Sequence, residues 1–199
     1  MSSETSSAAK QLAEKTLRSQ IEVDTVLCSS LEGFEVAKTL SETLDAELDL
    51  RFTDSIEVPG NSKDSVAGVA DDGTVWVDRK VKDEHQVSGA FIDRARIVKA
   101  RLLGLEKIEY CKNNTVLSGK KVLIADKDIE DSNRIAAGIG SITKQGAVKI
   151  YVAAQSITEE TAKHLEELTD ELIYLDNDVE MGNSDLSDIR PEKLEEYEF

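Results

Sequence analysis

The sequence predicts an α/β protein built on a single doubly wound, mostly parallel sheet with a β-hairpin inserted as a flap. Short apolar runs at residues 23–28, 47–52, 121–125, 146–154 and 171–175 alternate with segments of helical apolar period, the pattern of repeated β-α-β units. Residues 66–70 and 74–78 flank Asp71-Asp72-Gly73, an Asp-Gly hairpin turn between two strand-like runs. The chain has 199 residues, 40% of them hydrophobic, which is enough for one α/β core without disulfides or metals.

The elements follow in order. Residues 7–20 place Ala9, Leu12, Ala13 and Leu17 on one face of an amphipathic helix. A short strand at 23–28 leads through Ser29 and Ser30 into a helix carrying Phe34, Val36, Ala37, Leu40 and Leu44. The strand at 47–52 completes the first β-α-β unit. Val58-Pro59-Gly60-Asn61-Ser62 is a turn, because Pro fixes one φ and Gly-Asn tolerates positive φ. Residues 84–107 read as one long helix with Phe91, Ile92, Ala95, Val98, Leu102 and Leu103 facing inward. The central strand, 121–125, precedes a helix at 135–144. A further strand ends at Ala154, and a helix at 158–169 takes Thr158 as N-cap, with Glu159 and Glu160 suited to its positive end. Residues 171–175 close the sheet. The expected organisation is an N-terminal helix with a frayed start (1–22), a central domain (23–176) and an acidic tail (177–199) holding one short amphipathic piece at 191–197.

Composition narrows the partners. The net charge is −16 and the isoelectric point about 4.6, which disfavours broad binding to nucleic acid or to an anionic membrane. Such a surface suits a high-salt cytosol, although the chain uses more Lys than Arg. No run has the length of a membrane span and the start lacks a signal-peptide core, so the expected location is the cytoplasm. Cys28 and Cys111 are far apart, with no CxxC, and read as reduced thiols.

The segment from Asp126 to Arg134 follows the central strand, where α/β folds commonly seat a phosphate. It carries Asp126, Asp128, Glu130 and Asp131 and no glycine. Like charges about 4 Å apart repel by ~1 kcal/mol even at the dielectric of water, so this turn disfavours a phosphate dianion. Lys127 and Arg134 offset part of the repulsion. The carboxylate spacing opens like a calcium loop, but Asp131 and Ala137 stand where such a loop needs Gly and Glu, so an EF-hand is excluded.

The order of elements, with Leu48-Asp49-Leu50, Val58-Pro59-Gly60-Asn61, Val69-Ala70-Asp71-Asp72-Gly73-Thr74-Val75 and Gly119-Lys120-Lys121-Val122-Leu123-Ile124-Ala125-Asp126, resembles the type I phosphoribosyltransferase family. Within that family it is similar to a bacterial and archaeal group of predicted phosphoribosyltransferases. The resemblance spans residues 23–195 and implies the family's fold and a homodimer. Family members follow the central strand with two acidic residues and a Gly-x-x-Thr-Gly-x-Thr turn around the 5′-phosphate. Here the acidic pair is Asp126 and Lys127, both glycines are replaced, and Asp131 and Arg134 stand at the threonine positions. The pyrophosphate loop corresponds to Cys28-Ser29-Ser30-Leu31-Glu32-Gly33, without its Arg, and the basic pair after the next strand to Asp54 and Ser55.

The expected function is therefore a non-catalytic, phosphoribosyltransferase-like binding or regulatory protein with no cofactor. Its candidate ligand-binding residues are Asp126, Lys127, Asp128, Glu130, Asp131, Ser132, Asn133 and Arg134. A second reading is a divergent phosphoribosyltransferase that takes a nucleobase-type substrate, phosphoribosyl pyrophosphate and Mg²⁺. A third is an interaction protein docking RNA or an acidic partner through Arg94, Lys99 and Arg101, with RNA the weaker partner because no aromatics interleave the basic residues. His85 and His164 read as ordinary histidines, and no Ser/His/Asp set emerges from the order of residues.

Overall fold

The computed structural model describes residues 3–110 and 115–176. Cys111 and the tail from residue 177 lie outside the described residues, as does the amphipathic piece expected at 191–197. The elements are α1 (Ser3–Arg18), β1 (Thr25–Cys28), α2 (Phe34–Leu44), β2 (Glu47–Leu50), β3 (Thr53–Val58), β4 (Asn61–Ala70), β5 (Val75–Val77), α3 (Arg79–Glu84), α4 (Gly89–Tyr110), β6 (Lys121–Ile129), α5 (Ser132–Lys144), β7 (Lys149–Ile157), α6 (Glu159–Glu166) and β8 (Glu171–Asp176).

Five strands form a parallel sheet in the order β2-β1-β6-β7-β8. Their near-continuous apolar runs are buried on both faces, as a parallel sheet requires. One core joins Leu12, Val36, Leu40, Leu123, Ala125 and Ala153; the other joins Ile124, Val152, Ile135, Ile142 and Leu165. The helices α1 and α2 thus supply the first layer, and α5 and α6 the second. In α1, Ala9, Leu12 and Ala13 are buried as expected, but Leu17 is exposed and Thr16 takes its place inside, donating to the Leu12 carbonyl. No helix among the described residues is long and apolar enough to cross a membrane.

The chain builds outward from β1 to β2, returns across β1 to β6, and builds outward again to β8. The reversal between β1 and β6 is a topological switch point, where open α/β sheets form a crevice at the carboxyl ends of their strands.

The inserted flap is larger than the expected hairpin. It is a three-stranded antiparallel sheet, β3-β4-β5, with Asp71-Asp72-Gly73 at one turn and Pro59-Gly60 at the other. Gly73 and Gly60 take φ of +80° and +79°, the region that favours glycine. This sheet packs on α5 through Gly68, Gly138 and Gly140; an added Cβ on Gly68 would lie 1.9 Å from the Asn133 carbonyl oxygen.

A buried ion cluster ties the two sheets together. Arg51, just past β2, pairs with Asp71 at 2.8 Å and donates to Gln145 at 3.2 Å, and Lys107 of α4 reaches Asp71 at 3.2 Å.

The long helix expected at 84–107 is broken. Asp78 caps α3 through the Val81 amide, and α4 starts afresh at Gly89. Ile92 and Leu103 face inward and Ala95 is partly buried, but Phe91, Val98 and Leu102 are exposed. The buried face of α4 lies against β3 and β4, and it carries Lys107 where apolar periodicity offered Val98 and Leu102.

Candidate functional site

The switch point brings together the two segments singled out from the sequence. The central strand β6 continues to Ile129, four residues past the expected end, because β7 continues beside it and pairs Asp128 with Ser156 and Ile129 with Ile157. Only Glu130 and Asp131 remain between β6 and α5. The expected seven-residue turn is therefore mostly strand and helix.

Asp126 is 1% exposed and points into the crevice beside the loop after β1. Its Oδ2 accepts from Ser29 Oγ at 2.5 Å and from Arg134 Nη1 at 2.7 Å. Its Oδ1 accepts from Ser30 Oγ at 2.7 Å and from the Lys127 amide at 2.7 Å. Both oxygens thus carry two donors. Gly33, which opens α2, leaves room for this carboxylate: an added Cβ would stand 2.7 Å from Oδ1. A carboxylate beside the first turn of a helix also meets the positive end of the helix dipole.

Burial alone would raise the pKa of Asp126, but the Arg134 guanidinium and the two serine hydroxyls outweigh it and hold the carboxyl below its ordinary value. Burial works against the Arg134 charge in the same way, and Asp126 outweighs it, so the Arg134 pKa is raised. The two shifts agree on an intact ion pair. A carboxyl whose pKa is depressed on folding stabilises the fold above its unfolded pKa, and that contribution is lost as the pH falls through the folded value. Urea unfolding midpoints should therefore drop on acidification below the ordinary carboxylate range, and an Asp126→Asn chain should show a shallower drop. Identical slopes in the two chains would contradict this account of the group.

The other predicted residues are also engaged by the chain itself. Arg134 Nη2 donates to the Asp128 carbonyl at 2.9 Å, and Lys127 pairs with the Asp128 carboxylate at 3.2 Å. The Glu130 carbonyl accepts from Thr161 Oγ1 at 2.9 Å. Asp131 is the N-cap of α5: Oδ1 accepts from the Asn133 amide at 2.9 Å, and Oδ2 accepts from Ser55 of β3. The Asn133 side chain donates to the Ser65 carbonyl at 3.1 Å. Asp54, beside Ser55, is held by Lys99 at 2.6 Å.

One contact was not legible from residue order. Ser132 Oγ lies 2.7 Å from His164 Nδ1, and Trp76 of β5 sits 6.0 Å from the His164 ring. These residues belong to α5, α6 and the flap, so the pair exists only once α6 packs beside α5. No described carboxylate orients the far nitrogen of His164, and the pair lacks the third member of a catalytic triad. His85 instead faces Asp64 at 3.4 Å. Cys28 is fully buried, burial raises its pKa, and it donates to the Ser30 carbonyl; it has no character of a reactive thiol. Of the predicted basic patch, Lys99 is taken up by Asp54 and Glu57, while Arg94 and Arg101 make no ion pair among the described residues.

No protein-family model matches the chain, and no curated protein matches its sequence. Solved structures do match its architecture. The protein TT1426 of Thermus thermophilus superposes with a TM-score of 0.71 at 18% identity, covering 88% of this chain and 85% of that one. The purine phosphoribosyltransferase of Pyrococcus horikoshii gives 0.50 at 15% identity over 87% and 84%. The hypoxanthine phosphoribosyltransferase of Staphylococcus aureus gives 0.50 at 10% identity over 88% and 74%. The fold is that of the type I phosphoribosyltransferases. In this phosphoribosyltransferase fold the five-stranded parallel sheet carries the crevice, and the antiparallel sheet β3-β4-β5 stands against α5 beside it.

Proposed function

We propose that the chain is a non-catalytic phosphoribosyltransferase-like protein that serves as a binding or regulatory module in the cytoplasm. The observation that supports this reading most is the state of the two helix N-termini at the switch point. Asp126 stands beside the start of α2 and Asp131 caps α5. At α5 the Asp131 carboxylate already takes an amide that would receive a ligand's phosphate, and at α2 the Asp126 carboxylate, saturated by other donors, stands against Gly33. A sugar phosphate entering there has to displace a saturated carboxylate and meet Asp128 and Glu130 as well.

Thermal shift tests the reading. Phosphoribosyl pyrophosphate with Mg²⁺, ribose 5-phosphate and nucleotides should leave the melting temperature unchanged. A ligand present at 100 times its dissociation constant would stabilise the chain by about 2.7 kcal/mol, a shift that is readily seen and would overturn the proposal.

The fold shared with the purine phosphoribosyltransferase of Pyrococcus horikoshii favours one other reading, a divergent phosphoribosyltransferase using a nucleobase and Mg²⁺. Release of pyrophosphate in the presence of a panel of nucleobases would establish it.

A further inference from the structure

The face of α4 that points away from β3 and β4 carries an apolar strip. Phe91, Val98, Leu102 and Leu105 are 36–60% exposed. At 3.6 residues per turn they fall within about 60° of one another, and the strip runs about 21 Å along the helix. Arg94 and Arg101, also exposed, are seven residues apart and stand along one border of it. Scattered exposed apolar residues are ordinary; a continuous strip along one helix marks a contact surface.

The chain leaves β8 within reach of this strip. Asp176 pairs with Ser156 of β7, and Ser156 with Asp128 of β6. Asp131 then holds Ser55 of β3, and Lys99 of α4 holds Asp54. With neighbouring strands about 4.8 Å apart, this relay of contacts puts Asp176 within about 40 Å of α4. Leu194 lies 18 residues beyond Asp176, a span of about 60 Å when extended, which leaves slack to pass around the flap. Residues 177–199 carry eight carboxylates against Arg190 and Lys193. In the amphipathic piece at 191–197, Leu194 and Tyr197 have the spacing of one helical face, with Glu192, Glu195 and Glu196 around them.

We propose that residues 191–197 of the same chain dock on α4, with Leu194 and Tyr197 against Phe91, Val98 and Leu102 and the glutamates beside them facing Arg94 and Arg101. Two things favour this occupant. An apolar strip with a basic border matches an apolar pair with an acidic border, and a chain of net charge −16 offers an acidic segment few other attractive surfaces. The tether matters as well. A linked segment meets its site at an effective concentration of millimolar order, so a contact too weak to hold a free peptide is still occupied. The tail then acts as a strap that shields an apolar surface from water. This contact does not depend on what the crevice binds.

Hydrogen exchange of the full chain tests the proposal, read on the amides of residues 191–197. In the wild type these should exchange at least about tenfold more slowly than in Leu102→Glu, whatever the protein concentration. Leu102 is 60% exposed, so the substitution should leave urea unfolding of the domain nearly unchanged. Arg94→Glu/Arg101→Glu should release the same amides, and adding Glu195→Lys/Glu196→Lys should restore their protection. In a Cys111→Ser chain, Leu102→Cys/Leu194→Cys should form an intramolecular disulfide on mild oxidation. Leu17→Cys/Leu194→Cys, whose first site is similarly exposed on α1, should not. Equal exchange in the wild type and Leu102→Glu, or equal cross-linking from Leu17, would overturn the proposal. So would protection that appears only as the protein concentration rises, which would assign the strip to a second copy.

Discussion

Replacing Arg134 with Met should cost about 3–5 kcal/mol of stability, the usual result of removing one partner from a buried ion pair. The variant keeps Asp126 in the crevice, with Ser29, Ser30 and the Lys127 amide as its remaining donors. Without the guanidinium the carboxyl loses the largest influence that lowers its pKa, so the pKa rises from its wild-type position. The wild type loses the stabilisation of its depressed carboxyl as the pH falls through the folded value, and the variant has less of it to lose, so the gap between wild type and variant should narrow on acidification. Asp126→Asn/Arg134→Met should recover part of the loss, because the neutral amide removes the orphaned charge. Denaturant unfolding at several pH values measures all three statements. A gap that stays constant with pH would show that the pair is not the source of the effect.

The second large effect is expected at Gly68→Ala. The new methyl group would lie 1.9 Å from the Asn133 carbonyl oxygen, 2.2 Å from its carbon and 2.5 Å from the Arg134 amide nitrogen. All three are backbone atoms of the first turn of α5, so no side-chain rotation relieves the clash. Overpacking of this kind costs about 1–3 kcal/mol and occasionally more, and backbone neighbours place this site at the upper end. Displacing that turn also moves Arg134 relative to Asp126, so the two perturbations should not be additive. Gly89→Ala is the control: an added Cβ there meets nothing within 4 Å, and the change should stay within about 0.5 kcal/mol. If both alanines were tolerated equally, β4 would not approach α5 as closely as described.

The sequence made the parallel sheet legible because buried strands announce themselves as unbroken apolar runs between helical periods. Thr158 and Asp71-Asp72-Gly73 behave as their side-chain chemistry predicts. The misreadings share one cause, which is that a long-range partner overrides the local signal. Lys127 and Asp128 look like loop residues, yet β7 holds them in a strand. Thr53-Asp54-Ser55 carries no strand pattern, and β3 forms because β4 offers a partner and because Lys99 and Asp131 bind its polar side chains. Of the inward stripe that the apolar period of α4 predicts, Ile92 and Leu103 are buried, with Lys107 beside them, while Phe91, Val98 and Leu102 are exposed.

At the crevice the residue types were legible and their roles were not. Four carboxylates around an expected phosphate seat read as repulsion against a ligand. In the folded chain Asp126 is paired with a basic residue eight positions ahead and hydrogen-bonded by two serines almost a hundred positions behind. Arg134 fell at a position the resemblance assigns to threonine, and only the folded geometry turns it back onto the strand.

The central claim is that the chain's own carboxylates occupy the places a ligand's phosphate would take. Crystals soaked with phosphoribosyl pyrophosphate and Mg²⁺ test it most directly. The expected map retains Arg134 on Asp126 and Asp131 on the Asn133 amide, with no sugar density above Ile129 and Ser132. A sugar phosphate seated on the first turn of α5, with Arg134 swung away from Asp126 to meet it, would contradict the account.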